Sequence, residues 1–406
     1  MNSVTPSITP TALPEKSGMH RSEIIASTSL ASIFALRMFG LFLIMPIFTE
    51  HAKSLPDGAD IGLVGLAMGI YGFSQALAQI PFGMASDRFG RKPVIIIGLL
   101  LFALGALIAA LSTTVLGIAI GRAIQGSGAI SAAVTALISD STREEHRTKA
   151  MAMVGGSIGL SFTLSLVLAP LLYKGIGMSG IFYMTMVLAL IAIAVVIFIT
   201  PNPPAYHAPR VPFSQVLKSP ELMRLNFGVF VLHMCQVAMF VVIPSALIQS
   251  GHWPMPEHWK IYLPAVFGSF LVMLPMIIWG ERKGQMKKVF VFSIALLLFV
   301  QIGFINGLNS PTALIVLLCL FFLAFNILEA SQPSLVSRFA PAAAKGSALG
   351  VYSTMQALGL ACGGILGGKL NQHFGPASVF ILCAIFCFAW LIIAKKMPAI
   401  LARSKK

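Results

Sequence analysis

A chain of 406 residues that is 57% hydrophobic and only 10% charged is too apolar for a soluble protein, in which about a quarter of residues are charged. Its net charge of +15 would suggest nucleic acid in a soluble protein, but runs of about 20 apolar residues recur along the whole length, each enough to cross a roughly 30 Å hydrocarbon core. The composition predicts an all-α polytopic membrane protein with the lipid bilayer as its partner and no nucleic acid. The short alternating segments of a β-barrel do not occur in it.

Residues 1–22 are polar and rich in Ser, Thr and Pro, so they read as a tail without a cleavable signal. Twelve spans follow: 24–48, 61–82, 93–112, 115–139, 150–173, 179–200, 222–248, 259–280, 289–308, 311–336, 347–370 and 375–396. With connections on alternating sides, one side carries only Lys53, Lys174, Lys260 and Lys369. Arg37 and Arg122 lie within spans, and the other 22 cationic residues share the side that holds both termini. Positive loops stay in the cytoplasm, so both termini are expected there, in a cell inner membrane.

The longest connection, 201–221, carries Pro201, Pro203, Pro204, Pro209 and Pro212 and divides the chain. The expected organisation is a tail (1–22), a six-span half (23–200), a linker (201–221), a second half (222–396) and a short tail (397–406). The halves resemble each other weakly: Ala136–Asp140 corresponds to Ser334–Arg338, and Gly280–Lys288 is a degenerate copy of Gly83–Lys92. Such paired halves place a substrate site near midplane between them.

Gly83–Lys92 reads as a charged turn between spans 2 and 3, since Asp87, Arg88, Arg91 and Lys92 are costly in hydrocarbon. Gly83 and Gly90 permit a tight connection, and Pro93 suits a first helical turn. Asp87, Arg88, Arg91 and Asp140 can clamp spans 2, 3 and 4, and Asp87 can face the positive end of span 11. The plainer reading is an anchor of topology alone.

Charges inside spans are few. Glu329 is the one acid of thirteen to fall in a span, where a charged group costs ~2.5–3.5 kcal/mol, so it is a candidate proton or substrate coupling group. Asn326 and Gln332, about one turn away on either side, are its expected partners. Arg37 in span 1, Arg122 with Gln125 in span 4, and His233 with Gln236 in span 7 complete the polar candidates. For each the competing reading is structural, as a bridge between helices or a packed polar group. The five cysteines sit in apolar runs and predict no disulfide, and no metal or cofactor is expected. Gly363–Lys369 nearly spells a phosphate-binding loop, but Leu370 stands where a hydroxyl is needed, so its glycines read as helix packing.

Gly83–Lys92 resembles motif A of the major facilitator superfamily, a Gly-x-x-x-Asp-Arg-x-Gly-Arg-Lys connection between helices 2 and 3. Arg122–Gly126 resembles motif B of its drug/proton antiporter branch, and Gly40–Pro46 that branch's helix-1 motif. Nearly the whole chain is similar to YajR-type efflux transporters, without the extra C-terminal domain that some carry. The resemblance implies a monomeric, twelve-helix transporter that is not an enzyme, exporting amphipathic or lipophilic small molecules against protons by alternating access. It implies a conformational gate at Gly83, Asp87, Arg88, Gly90, Arg91 and Asp140. It also implies a central cavity lined by spans 1, 4, 7 and 10, shared by Arg37, Arg122 and Glu329, with Arg122 modulating protonation. One departure touches the antiport direction: the branch's helix-5 Gly-Pro motif is replaced by Gly155-Gly156-Ser157-Ile158-Gly159, with proline only at Pro170. The alternatives are uptake of a small anion, favoured by Arg37 and Arg122, and, further off, a channel or a membrane enzyme, against which a lone acid argues.

Overall fold

The computed structural model describes residues 18–202, 216–341 and 345–398, without the side chains of 144, 145, 148, 345 and 346. Most of the predicted tails and of the proline-rich linker therefore lies outside the described residues. Twelve α-helices run as α1 (Arg21–Ala52), α2 (Ile61–Phe89), α3 (Arg91–Leu111), α4 (Val115–Ser127), α5 (Ser131–Ser141), α6 (Glu144–Ala194), α7 (Pro220–Gln249), α8 (Trp259–Arg282), α9 (Met286–Gly307), α10 (Pro311–Phe339), α11 (Lys345–Phe374) and α12 (Pro376–Lys395). The described residues contain no strand.

Three of these helices do not coincide with single predicted spans. Predicted span 4 is broken into α4 and α5 at 128–130. There Gly128 comes so close to α3 that a methyl group on it would lie 2.1 Å from the carbonyl oxygen of Gly98. α6 instead joins predicted spans 5 and 6 in one 51-residue helix, about 75 Å long if straight and far too long for one crossing. Gly177, at φ 66° and ψ −176°, breaks it between those two spans. Among the described residues eleven long apolar stretches result, and with α6 broken at Gly177 into two crossings they make twelve spans in two six-span halves, α1–α6 and α7–α12.

Helix starts follow local chemistry. Asp60, Thr114, Ser219 and Ser310 each accept a backbone N–H three residues on, at the starts of α2, α4, α7 and α10. Asp57, from the α1–α2 connection, also caps α4 by accepting from Val115 N at 2.7 Å and Leu116 N at 3.0 Å. The Val115 N–H foremost holds the Asp57 carboxyl below its ordinary value, with the Leu116 N–H adding to it.

α11 stands between the halves, packed on α7 of its own half and on α2 of the other. Glycine makes both approaches possible, as small residues do between membrane helices. Methyl groups on Gly359 and Gly363 would each lie 2.3 Å from a carbonyl oxygen of α7, on Phe230 and Met234. On the α2 side, methyls on Gly65, Gly69 and Gly72 would come within 2.4–2.5 Å of the carbonyl oxygens of Gly364, Ala361 and Ala357.

At the end opposite Gly90 the halves are tied further. Thr49 Oγ1 donates to Phe240 O at 3.0 Å, and Gly62 N to Gln372 Oε1 at 3.1 Å. Ser245 Oγ hydrogen-bonds Glu50, while Lys53 Nζ reaches Glu50 at 2.7 Å and Ser245 Oγ at 2.9 Å.

Candidate functional site

The charged stretch Gly83–Lys92 is not a loop. Gly83 to Phe89 form the last two turns of α2, Gly90 alone is non-helical, and Arg91 opens α3. The turn is this short because Gly90 adopts φ 97°, a left-handed conformation that a side chain resists. That tight turn then puts Asp87 and Arg91 beside each other. Arg91 Nη1 donates to Asp87 Oδ1 at 2.5 Å and to Ser86 Oγ at 2.9 Å, and its Nε donates to Asp140 Oδ2 at 2.9 Å. One guanidinium thus ties the ends of α2, α3 and α5. Arg88 stays outside this cluster, its guanidinium 5.4 Å from the centre of its neighbour Phe89. Gly83 faces Ala132 of α5. Lys92 donates to the carbonyl of Thr200, extending the tie to the end of predicted span 6.

The second half repeats this bridge with the signs exchanged. Glu281 at the end of α8 accepts from Arg338 Nη2 at 2.6 Å at the end of α10. The acid now sits by the turn, and the base takes the position that corresponds to Asp140.

Arg37 and Arg122 take partners other than Glu329. Both are buried, at 0% and 2% exposure, inside the first half. Arg37 Nη2 donates to Tyr71 Oη at 2.7 Å and to Gly128 O at 3.2 Å, so it caps the break in span 4. Arg122 Nε donates to Ala67 O at 2.6 Å on α2, and its guanidinium lies 5.6 Å from the centre of the Tyr71 ring. Neither has an acid within ion-pair distance among the described residues. Backbone carbonyls and aromatic faces offset the two charges instead. Gln125, on the next turn from Arg122, is buried beside Gly105 with its amide unpaired among the described residues.

Glu329 lies in the second half, its side chain 24% exposed. Its neighbours are not those expected along its own helix. Asn326 Nδ2 donates to Ser269 Oγ on α8 at 2.7 Å, and Gln332 has no hydrogen-bond partner among the described residues. The partner is instead His233 of α7, whose Nε2 is 3.5 Å from Glu329 Oε2. The other ring nitrogen, Nδ1, donates to Val229 O at 3.1 Å, one turn back. Two residues of α11 that sequence reasoning missed complete the cluster. Gln356 places its amide nitrogen 2.7 Å from His233 Nε2, and the buried Tyr352 interacts electrostatically with Glu329. Gln236 is buried on α7 with its carbonyl oxygen unpaired among the described residues. The ring of Phe325 meets His233 edge-on, 5.9 Å between centres.

The geometry therefore contains a clamp of two acids and one base at one end, and a carboxyl–imidazole pair within the second half. Residues 30–359 and 258–401 match the Major Facilitator Superfamily. The chain belongs to that superfamily. It is 45% identical over 378 residues to the inner membrane transport protein YajR of Escherichia coli K12, covering 92% of this chain and 83% of that one. It is 26% identical over 379 residues to multidrug resistance protein 2 of Bacillus subtilis 168, covering 88% and 92%. Among solved structures, a bacterial homolog of the human lysosomal transporter Spinster, inward-facing and occupied, superposes with a TM-score of 0.72 at 12% identity over 93% and 97% of the chains. The human organic anion transporter MFSD10 gives 0.70 at 17% identity over 92% and 100%. As a member of the superfamily, the protein is a membrane transporter.

Proposed function

We propose that the protein is a proton-coupled secondary transporter of the inner membrane that exports amphipathic or lipophilic small molecules in exchange for protons. In this reading both termini are cytoplasmic, and the halves 23–200 and 222–396 rock against each other around a central site. The supporting observation is Glu329 beside His233. An acid at that depth is costly when ionised and cheap when protonated, so its charge changes readily as its access to water changes. With its proton on Nδ1, His233 presents Nε2 as an acceptor next to a group that can supply a proton. Export rather than uptake is favoured by the likeness to multidrug resistance proteins. Uptake of a small anion draws on Arg37 and Arg122, but those spend donors on Tyr71, Gly128 and Ala67 and supply the weaker support.

The test uses everted membrane vesicles holding a preformed pH gradient, challenged with a panel of lipophilic cations and neutral amphiphiles. A compound that dissipates the gradient through the wild-type protein, and fails to do so through Glu329→Gln, supports the reading. Normal proton coupling in Glu329→Gln overturns it.

A further inference from the structure

His233 is offered one more donor than it can take. Its Nδ1 proton is committed to Val229 O, which leaves one lone pair on Nε2. Gln356 lies 2.7 Å from that nitrogen and Glu329 Oε2 lies 3.5 Å from it. A neutral imidazole nitrogen accepts one such bond in its ring plane. In this state the Gln356 amide holds it, and Glu329 Oε2 has no hydrogen-bond partner among the described residues.

The position of Gln356 is set by α11's contacts with both halves. The glycine contacts to α7 fix how close Gln356 comes to His233. The next residue, Ala357, has its carbonyl oxygen against Gly72 of α2, where a methyl group would lie 2.4 Å away.

We propose that Gln356 is a positioning residue that competes with Glu329 for the Nε2 lone pair of His233, so that withdrawal of its amide frees that lone pair for Glu329. This rests on Glu329 being the coupling acid. With Gln356 withdrawn, protonated Glu329 donates to Nε2. The proton can then cross from Oε2 to Nε2, breaking an O–H bond, forming an N–H bond and leaving a carboxylate beside an imidazolium. The other titratable group facing the pair is Tyr352 of α11. Among the described residues no lysine or arginine from any helix lies within ion-pair distance of Glu329.

The direct test is nitrogen NMR of ¹⁵N-histidine-labelled full-length protein in lipid nanodiscs, titrated with acid, with His233→Gln assigning the resonance. Wild type should show the Nδ1–H tautomer with Nε2 as a hydrogen-bonded acceptor. In Gln356→Leu the donor that favours the neutral ring is gone. At a fixed pH the His233 Nε2 resonance should then leave its hydrogen-bonded acceptor position and move toward the protonated position as Glu329 takes the place of the amide. Adding Glu329→Gln should abolish that move. Gln356→Asn, whose amide is one methylene too short, gives the same readout if Gln356→Leu does not fold. An Nε2–H tautomer in wild type, or an Nε2 resonance that Gln356→Leu and Gln356→Asn leave unmoved, overturns the proposal. Normal coupling by Glu329→Gln in vesicles sinks the transport reading alone and leaves this measurement to stand by itself.

Discussion

Adding one methyl group at Gly65 should open the end of the molecule opposite Gly90. The methyl would lie 2.4 Å from Gly364 O and 2.5 Å from Gly368 Cα. Carbon atoms pack comfortably at about 3.5–4.0 Å, so α2 and α11 must separate locally by about 1 Å. All three atoms crowded around it are rigid backbone, so no side chain can swing aside. Overpacking of this kind costs about 1–3 kcal/mol. Because α2 and α11 belong to different halves, that cost falls on the closed state and not on either half, which shifts the population toward opening by about 5- to 150-fold. Spin labels on Ser54→Cys and Gln249→Cys, one in each half at this end, report the separation by pulsed electron resonance. Gly65→Ala should add a longer-distance population at unchanged thermal stability of the halves. A distance distribution identical to the parent would refute the inference that these glycine contacts hold the end shut.

Three further outcomes follow from charges outside the pair. Asp140→Asn removes one of the two acids on Arg91; both carboxylates are partly exposed, so unfolding followed by circular dichroism should show a loss of about 1 kcal/mol or less, smaller still at high salt. Asp57 holds its proton less tightly folded than unfolded, so its contribution is present above the unfolded carboxylate value and fades as pH falls through the lower folded one. Melting temperatures of wild type and Asp57→Asn should therefore differ at pH 6 and converge toward pH 3. Arg37→Leu removes the cap on the Gly128 carbonyl, and hydrogen exchange at 128–134 should quicken while exchange in α12 stays unchanged.

What the sequence disclosed depended on whether a signal was local. The spans were legible because hydropathy needs no neighbours, and the Asp87–Arg91 pair because both lie close together across one tight connection. Asp140 could be added because alternation of spans puts it on the same face. The continuation of α2 through Phe89 was not legible, since charged residues in a membrane protein look like loop whether or not they remain helical beyond the bilayer. Hydropathy located Arg37, Arg122 and Glu329 at similar depth but carried nothing about the facing of each helix, so the partner of each could not be read from it. Gln356 left no trace, being a neutral amide in a helix otherwise marked by small residues. The break at 128–130 had a readable warning in Gly126-Ser127-Gly128, a pattern at which helices interrupt.

The single residue between α2 and α3 has a mechanical consequence. A joint needs slack, and Gly90 supplies one residue, with Arg91 pinned on either side to Asp87 and Asp140. The two helices must therefore swing as one lever, and motion of the first half has to bend elsewhere. The corresponding joint in the second half is looser, with Lys283, Gly284 and Gln285 between α8 and α9. A stiff arm thus faces a more yielding one across the molecule.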